Sequence, residues 1–344
     1  MAALFKKTPA PTPLDGIDLI LADLDGVVYR GNNPVKGAVE NLNRAAEQVK
    51  IGYLTNNAAR TDTQVAAHLT KLGLQTTPEN VVTSPQAAIT VLREKIAPGA
   101  CIFVVGGEGI THELEKAGYR ITRSADDNPD AVLQGFAPHV GWEHLAEASF
   151  ALAEQPGKPE LPWIATNTDW TIPLARGIAP GNGTLVSAVH TAVQRLPEFA
   201  GKPEKPMYRT AFERFGSSNA LMIGDRLDTD TKGGRAAGIK TLHVLTGVDR
   251  PKQLLAASKD MQPDYIVATL AGLHEPYPET KIGRDGTHKI GDCAVRMEGH
   301  IVQIMREGSD PLNLLRAACS AIYSSGLAIY GLKVPEILVQ DHWS

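Results

Sequence analysis

The chain has 344 residues, of which 43% are apolar and 21% charged, and a formal net charge of −4. This length exceeds one ordinary domain and favours two or three. The slightly acidic balance argues against a nucleic-acid partner, and no apolar run reaches transmembrane length. Because the three cysteines (Cys101, Cys293 and Cys319) are widely spaced and form no Cys-x-x-Cys motif, we expect reduced thiols in a cytoplasmic protein.

The N-terminal half begins with a lead-in and a first alternation of strands and helices. Residues 1–14 lack the apolar stretch of a signal peptide, so we expect a mobile lead-in there. From residue 15, short apolar runs alternate with segments of helical periodicity, which is typical of a parallel sheet covered by helices. In chain order the pattern predicts a strand at 17–24, a helix at 37–49, a strand at 50–58 and a helix at 61–73.

A second alternating block follows, and then the first pattern resumes. The block predicts strands at 100–105, 131–136 and 162–167 and helices at 84–96, 141–154 and 183–196. The resumed pattern predicts helices at 205–216 and 230–238 and strands at 220–226 and 240–247. The simplest organisation is one α/β core, residues 15–83 and 199–275, interrupted by an inserted α/β domain over 84–198.

The last part of the chain, residues 276–344, has a different pattern. It predicts a two-stranded antiparallel unit over 287–310, a helix over 311–326 and a final strand over 335–343. We therefore expect a small α+β C-terminal unit. The predicted fold class is α/β, with a Rossmann-like parallel-sheet core, an inserted α/β domain and this added unit.

Polar side chains follow the predicted core strands where each strand ends. The residues concerned are Asp23 and Asp25 where the first strand ends, Thr55 and Asn56 in the polar end of the second, and Asp225, Asp228 and Asp230 in "GDRLDTD". Lys202 stands just before a predicted helix. Because ligands of open parallel sheets bind at the carboxyl ends of the strands, these side chains are expected to converge on one edge.

This set of side chains suits a metal ion and a phosphate group. Carboxylate oxygens are hard ligands that favour Mg²⁺, which usually binds through one or two carboxylates and a substrate phosphate. Ammonium, hydroxyl and amide groups donate hydrogen bonds to phosphate oxygens. A carboxylate can also act as a nucleophile. Taken alone, Asp23 and Asp25 also fit a helix cap and a turn residue.

Four motifs in order carry a resemblance to a known family. "DLDGV", the threonine in "LTNNAAR", the first lysine in "GKPEK" and "GDRLDTD" resemble the haloacid dehalogenase superfamily of phosphatases. "LDGVVYRG" and "APGNGTLVSAV" are similar to its subfamily with a large α/β (type II) cap, which includes p-nitrophenyl phosphatases and bacterial glycerol-3-phosphate phosphatases. The resemblance covers roughly residues 15 to 270 and implies that the inserted domain is the cap.

The resemblance implies a role for each residue around the metal. Asp23 would be the nucleophile and a Mg²⁺ ligand. Asp25 would be the general acid and base, with its backbone carbonyl also on the metal. Asp225 would be the third ligand, and Asp230 would orient the metal site from behind.

The same resemblance implies how the phosphoryl group and the leaving group are held. Thr55 and Asn56 would bind the phosphoryl oxygens, and Lys202 would bridge the nucleophile and the phosphate. In the cap, Arg176 and Asn182 are candidates to contact the leaving group. The chain has "NTD" at 167–169 where the family often has Asn-Pro-Asp, so the geometry of this loop is open.

The sequence therefore predicts a Mg²⁺-dependent phosphomonoester hydrolase that acts on a small phosphorylated metabolite, with glycerol 3-phosphate as the favoured substrate. The alternatives are a broad phosphatase for phosphoglycolate, nucleotides or sugar phosphates, a phosphomutase, and a catalytically silent binding protein on the same fold. Neither nucleic acid nor membrane is expected as a partner, and a homo-oligomer is left open.

Overall fold

The structure is a computed structural model that describes residues 10–154, 156–157, 159–174 and 176–343. Residues 1–9 of the predicted lead-in lie outside the described residues. The strands are β1 (Leu19–Asp23), β2 (Tyr29–Arg30), β3 (Asn33–Pro34), β4 (Lys50–Thr55), β5 (Val81–Thr83), β6 (Cys101–Val105), β7 (Arg120–Thr122), β8 (Ala131–Gln134), β9 (Trp163–Ala165), β10 (Thr171–Leu174), β11 (Gly177–Pro180), β12 (Glu198–Phe199), β13 (Ala220–Gly224), β14 (Lys240–Val244), β15 (Tyr265–Val267), β16 (Lys281–Ile282), β17 (His288–Ile290), β18 (Cys293–Glu298) and β19 (Ile301–Arg306). The helices are α1 (Ala38–Ala46), α2 (Asp62–Lys71), α3 (Ser84–Lys95), α4 (Glu108–Lys116), α5 (Trp142–Leu152), α6 (Asn182–Val193), α7 (Lys205–Phe215), α8 (Lys232–Ala236), α9 (Pro251–Leu255) and α10 (Pro311–Ser325).

The chain divides into two compact units, and the first comprises residues up to 51 and from 219 onward. Its parallel strands are neighbours in the order β15-β14-β13-β1. In the central pair, Leu19 lies opposite Ala220 and Ala22 opposite Ile223. Apart from Asp23 at the end of β1, both strands are apolar or glycine throughout, and both are buried, as expected for parallel strands that are covered on both faces. The register brings the carboxyl ends of β1 and β13 side by side.

The C-terminal segment of the first unit forms an antiparallel sheet in the order β16-β17-β18-β19, packed against α10. The expected α+β character is confirmed, but the prediction of only two strands was wrong. One hydrophobic cluster contains side chains from α10 and this sheet together with residues of the parallel-sheet part: Leu227, Leu245, Leu254, Leu255, Ala257, Ile266, Ile290, Cys293, Val295, Val302, Leu314, Leu315, Ala317, Ala318, Cys319, Ala321, Ile322 and Leu338. The two parts of the unit therefore share a core.

The predicted final strand over 335–343 was also wrong. Lys333 pairs with the edge of β19, where Val302 donates to its carbonyl and its own N–H donates to His300. Pro335 follows, and a proline has no N–H with which to extend such a ladder. The chain forms a short 3₁₀ turn over Glu336–Leu338 instead.

The second unit, residues 52–218, begins within β4. Here β4 and β5 pair in parallel, and a separate sheet has the order β12-β9-β8-β6-β7, with β10 and β11 as an antiparallel hairpin. The second sheet is parallel throughout and its core includes side chains from α5 and α6. The α/β fold class is confirmed, whereas the predicted domain boundaries remain predictions.

Two further expectations concern the whole chain. Cys101, Cys293 and Cys319 are buried free thiols. Within the described ranges, every helix is too short or too polar to cross a membrane.

Candidate active site

Three aspartates of the first unit form a group that we call the acidic cluster: Asp23, Asp225 and Asp230. Asp23 ends β1, Asp225 directly follows β13, and Asp230 lies in the wide turn over Leu227–Thr231. Each offers a carboxylate oxygen that lies within 4.8 Å of those of the other two. Asp23 is 9% exposed, and Asp225 and Asp230 are each 1% exposed. The structure therefore brings these three predicted residues together.

The acidic cluster fits a divalent cation. Three buried carboxylates at this separation repel one another and lose hydration, so the arrangement is costly without positive charge nearby. Hard oxygen donors in a group of this size are the ligands that Mg²⁺ prefers. The chemistry of the donor set thus agrees with the metal that the sequence predicts.

Asp25 lies just beyond the acidic cluster in the loop after β1. The N–H of Gly26 donates to the carbonyl of Tyr29 at 2.8 Å, and three successive N–H groups approach the carbonyl of Leu24. This tight turn fixes the backbone on both sides of Asp25, while the Asp25 residue itself is exposed. An accessible carboxyl two residues after Asp23 can exchange protons with bound reactants and water.

Two glycines allow the loops to approach the carboxylates closely. A Cβ at Gly247 would lie 1.8 Å from Oδ2 of Asp225, and one at Gly224 would lie 2.1 Å from Cβ of Asp230. In the space that Gly247 leaves, the N–H of Val248 donates to Oδ2 of Asp225 at 2.6 Å. The lack of side chains at 224 and 247 is therefore a requirement of the site's geometry.

Asp228, the remaining acidic residue of "GDRLDTD", does not join the acidic cluster. It forms a bidentate ion pair with Arg226, at 3.1 and 2.9 Å, on the exposed side of the turn. Asp230 accepts the N–H of Arg226 at 3.2 Å. The turn thus sends Asp230 inward and Asp228 outward.

Sequence reasoning missed two residues that support this region, Asp249 and His243. Asp249 accepts the N–H of Leu227 at 2.6 Å, and burial raises the pKa of its carboxyl. The fully buried His243 has Nε2 at 3.0 Å from the carbonyl of Asp249. Because a carbonyl only accepts, the proton is assigned to Nε2, and burial lowers the pKa of His243 to about 4. Neither residue belongs to a motif that would have identified it.

In the second unit, Thr55, Asn56 and Lys202 form a group that we call the lysine cluster. The side-chain amide of Asn56 accepts the N–H of Lys202 at 2.9 Å and donates to its carbonyl at 3.0 Å. Lys202 is buried, and its Nζ lies 3.5 Å from the carbonyl oxygen of Leu54. Thr55, also buried, accepts the N–H of Asn57 at its hydroxyl. The side chain of Asn56 thus ties the segment after β4 to the backbone of Lys202, 146 positions later in the chain.

The "NTD" loop supports the lysine cluster. Asn167 donates from its side chain to the carbonyl of Asn56 at 2.7 Å, and Asp169 accepts from the side chain of Asn56 at 3.1 Å. Asn167 Oδ1 also accepts the N–H of Asp169 at 3.1 Å. This side-chain turn shapes the loop although Thr168 replaces the proline that the family often has.

The two candidates for the leaving group differ in environment. Arg176 is exposed in the turn between β10 and β11. Asn182, at the start of α6, is buried, and its Nδ2 donates to the carbonyl of Asn167 at 2.8 Å. The amide of Asn182 thus serves the "NTD" loop, whereas the Arg176 side chain faces solvent.

Two family models match the chain. The model of haloacid dehalogenase-like hydrolases matches residues 20–120, which contain Asp23, Asp25 and Thr55. A HAD-hydrolase-like model matches residues 199–273, which contain Lys202, Asp225 and Asp230.

Individual proteins match over longer stretches. D-glycerol 3-phosphate phosphatase of Mycobacterium tuberculosis is 39% identical over 319 residues, which are 90% of this chain and 87% of that protein. A crystal structure of glycerol phosphate phosphatase from the same organism in complex with magnesium has a TM-score of 0.82 at 36% identity and covers 95% of each chain. A p-nitrophenyl phosphatase from Archaeoglobus fulgidus has a TM-score of 0.68 at 28% identity and covers 75% of this chain and 98% of that one.

Proposed function

The chain belongs to the haloacid dehalogenase-like hydrolase family, and we propose that it is a Mg²⁺-dependent phosphatase that hydrolyses a small phosphomonoester. The observation that carries the proposal is the acidic cluster, in which the buried aspartate at the end of β1 and two buried aspartates of the segment after β13 bring carboxylate oxygens within 4.8 Å of one another. The two family models and the M. tuberculosis relative confirm the family resemblance expected from the sequence motifs.

In the proposed reaction Asp23 is the nucleophile. A carboxylate oxygen of Asp23 forms a bond to phosphorus while the bond from phosphorus to the alcohol oxygen breaks, which leaves an aspartyl-phosphate. Asp25 gives a proton to the departing alcohol. Asp25 then takes a proton from a water molecule that attacks the phosphorus, and inorganic phosphate leaves as the Asp23 carboxylate is restored.

Asp23, the Asp25 carbonyl and Asp225 would hold Mg²⁺, and Asp230 would support them. The bound ion neutralises negative charge on the carboxylates and on the phosphoryl oxygens. Asp230 keeps its orientation through the hydrogen bond from the N–H of Arg226.

We propose that the lysine cluster binds phosphoryl oxygens. The Thr55 hydroxyl and the Lys202 ammonium are donors suited to phosphate. Since the side chain of Asn56 is engaged with Lys202 and Asp169, the backbone N–H is the group of Asn56 proposed to bind phosphate. This step rests on the order of the motifs and on the preference of ligands for the carboxyl ends of parallel strands.

Glycerol 3-phosphate is the favoured substrate. The M. tuberculosis relative that matches 90% of this chain is a D-glycerol 3-phosphate phosphatase, whereas the p-nitrophenyl phosphatase structure covers 75%. The longer match supports a related substrate, with Arg176 and Asn182 as candidate cap contacts.

We also propose a cytoplasmic location for the protein, since the three cysteines are free thiols.

The test measures release of inorganic phosphate from a panel of small phosphomonoesters, including both enantiomers of glycerol 3-phosphate, phosphoglycolate, a nucleotide and a sugar phosphate. The wild type, Asp23→Asn and Asp228→Asn are compared with Mg²⁺ and with a chelator. Asp228→Asn is the matched control because Asp228 pairs with Arg226 outside the acidic cluster. We expect Mg²⁺-dependent release that Asp23→Asn abolishes and Asp228→Asn retains.

Each alternative function has its own signature in this test. Comparable rates across the panel would indicate a broad phosphatase. Conversion of a sugar phosphate to an isomer with little free phosphate would indicate a phosphomutase. No release from any member would contradict the proposal and favour a binding protein.

A further inference from the structure

Asp249 lies next to the acidic cluster, in the loop that follows β14, and it touches the preceding loop at two points. Its Oδ2 accepts the N–H of Leu227 at 2.6 Å. Its own N–H donates to the carbonyl of Asp225 at 3.0 Å. Asp225 and Leu227 flank Arg226, so the two bonds hold a three-residue segment at both ends.

The neighbouring residue Val248 adds a third bond, to the carboxylate itself. Its N–H donates to Oδ2 of Asp225 at 2.6 Å. Both the backbone and the side chain of Asp225 are therefore held by residues 248 and 249. The orientation of this carboxylate depends on where the loop after β14 lies.

That loop is fixed in turn by its own contacts. His243, buried in β14, donates from Nε2 to the carbonyl of Asp249. The guanidinium of the next residue, Arg250, donates to the carbonyl of Leu245 and lies 3.5 Å from a carboxylate oxygen of Asp341 near the C-terminus. Asp249 is thus held on both sides and can act as a rigid support.

Leu227 is anchored from the other direction. Its side chain is 4% exposed and belongs to the hydrophobic cluster that includes Leu315 and Ala318 of α10. The backbone N–H of Leu227 is bound by Asp249, and its side chain is buried against the C-terminal unit. A carboxylate on one side and an apolar core on the other therefore set the start of the turn that carries Asp230.

From these contacts we infer that Asp249 is a positioning residue for the metal site, which holds the Asp225 loop in the geometry that binds Mg²⁺. The inference rests on the proposed function, since it concerns the same metal. Groups that orient metal ligands without touching the metal contribute strongly to metal binding. Their loss typically lowers metal affinity or activity 10- to 100-fold. Asp249 takes this role through its bonds to the N–H of Leu227 and the carbonyl of Asp225. Its neighbour Val248, in the same loop, binds the Asp225 carboxylate.

The test compares Asp249→Ala with the wild type in the full-length protein. Mg²⁺ affinity is measured by isothermal titration calorimetry without substrate, alongside the Mg²⁺ concentration for half-maximal activity and the melting temperature. Asp249→Glu is a second variant that keeps the charge and displaces the oxygen by one methylene group. Asp249→Glu keeps the inference testable if Asp249→Ala does not fold.

Asp264→Ala is the matched control. Asp264 also accepts a backbone N–H, that of Thr241 at 2.8 Å, but at the opposite end of β14. It therefore reports what the loss of an aspartate-to-backbone bond does away from the metal ligands.

We expect Asp249→Ala to weaken Mg²⁺ binding by about tenfold or more, Asp249→Glu to weaken it less, and Asp264→Ala to lower only the melting temperature. Wild-type Mg²⁺ affinity in the folded Asp249 variants would overturn the positioning role while leaving the proposed function intact. A wild type that neither binds Mg²⁺ nor releases phosphate would overturn the proposed function instead.

Discussion

The buried imidazole of His243 makes the first unit sensitive to acid. Burial lowers the pKa of His243 from its ordinary value of 6.5 to about 4, whereas in the unfolded chain it returns to about 6.5. Between these two pH values the unfolded state binds a proton that the folded state does not. The contribution of neutral His243 to the free energy of unfolding is therefore complete above pH 6.5 and is lost as the pH falls to about 4.

The size of the loss follows from the two pKa values. Each unit of pKa difference corresponds to about 1.4 kcal/mol, so protonation of His243 costs about 3 kcal/mol of the free energy of unfolding by pH 4. Other acidic groups titrate in the same window, so the wild type must be compared with a variant. The variant His243→Gln is suitable because a glutamine side chain has an N–H that can donate to the Asp249 carbonyl and does not titrate.

The assay is hydrogen exchange of peptides from β13 and β14 at increasing urea concentration and at several pH values, corrected for the intrinsic pH dependence of exchange. It reports the opening free energy of this sheet separately from that of the second unit. The wild type should lose about 3 kcal/mol more than His243→Gln between pH 7 and pH 4. An equal loss in the two proteins would refute the reasoning that His243 is held neutral by burial.

Two further predictions concern the core and the site. Leu315→Ala should lower the free energy of unfolding, measured with urea, by about 2–5 kcal/mol because Leu315 is 2% exposed in the cluster shared by α10 and the parallel-sheet part. The control Ile282→Ala, at a residue that is 61% exposed, should lower it far less. Similar losses in the two variants would contradict a shared core. Gly247→Ala would place a Cβ 1.8 Å from Oδ2 of Asp225 and should lower Mg²⁺ affinity about tenfold in calorimetry. Gly141→Ala, whose Cβ meets nothing within 4 Å, is its control, and unchanged affinity in both would show that the Asp225 loop adapts.

The acidic cluster was predictable because its members follow apolar strands. "LILA" and "ALMI" are runs that a parallel sheet buries on both faces, and the residues that end them, Asp23 and Asp225, must then emerge at the same edge. Asp230 required only the short spacing within "GDRLDTD". The local apolar pattern and the rule that parallel strands end at one edge of the sheet were sufficient to predict Asp23, Asp225 and Asp230.

The supporting residues were not predictable in this way. Asp249 stands in "GVDR", where an aspartate before a short helix is an ordinary turn residue, and nothing nearby indicates that its partner is Leu227, 22 positions earlier. In the same way, the pairing of Asn56 with Lys202 spans 146 positions. Hydrogen bonds between loops depend on where two distant segments meet, and periodicity carries no information about that.

Three features could be inferred from the amino-acid sequence alone: the α/β class, the strands whose ends carry the chemistry, and the family to which the chain is similar. These follow from apolar periodicity and from motif order, which are local properties of the chain. Three other features became visible only in the folded chain. The helix of the C-terminal unit shares a core with Leu227, the segment after Pro335 forms a turn and not a strand, and Asp249 and His243 hold the Asp225 loop. Burial and the partners of buried polar groups arise only when distant segments pack, because each such group must find a hydrogen bond wherever the fold places it.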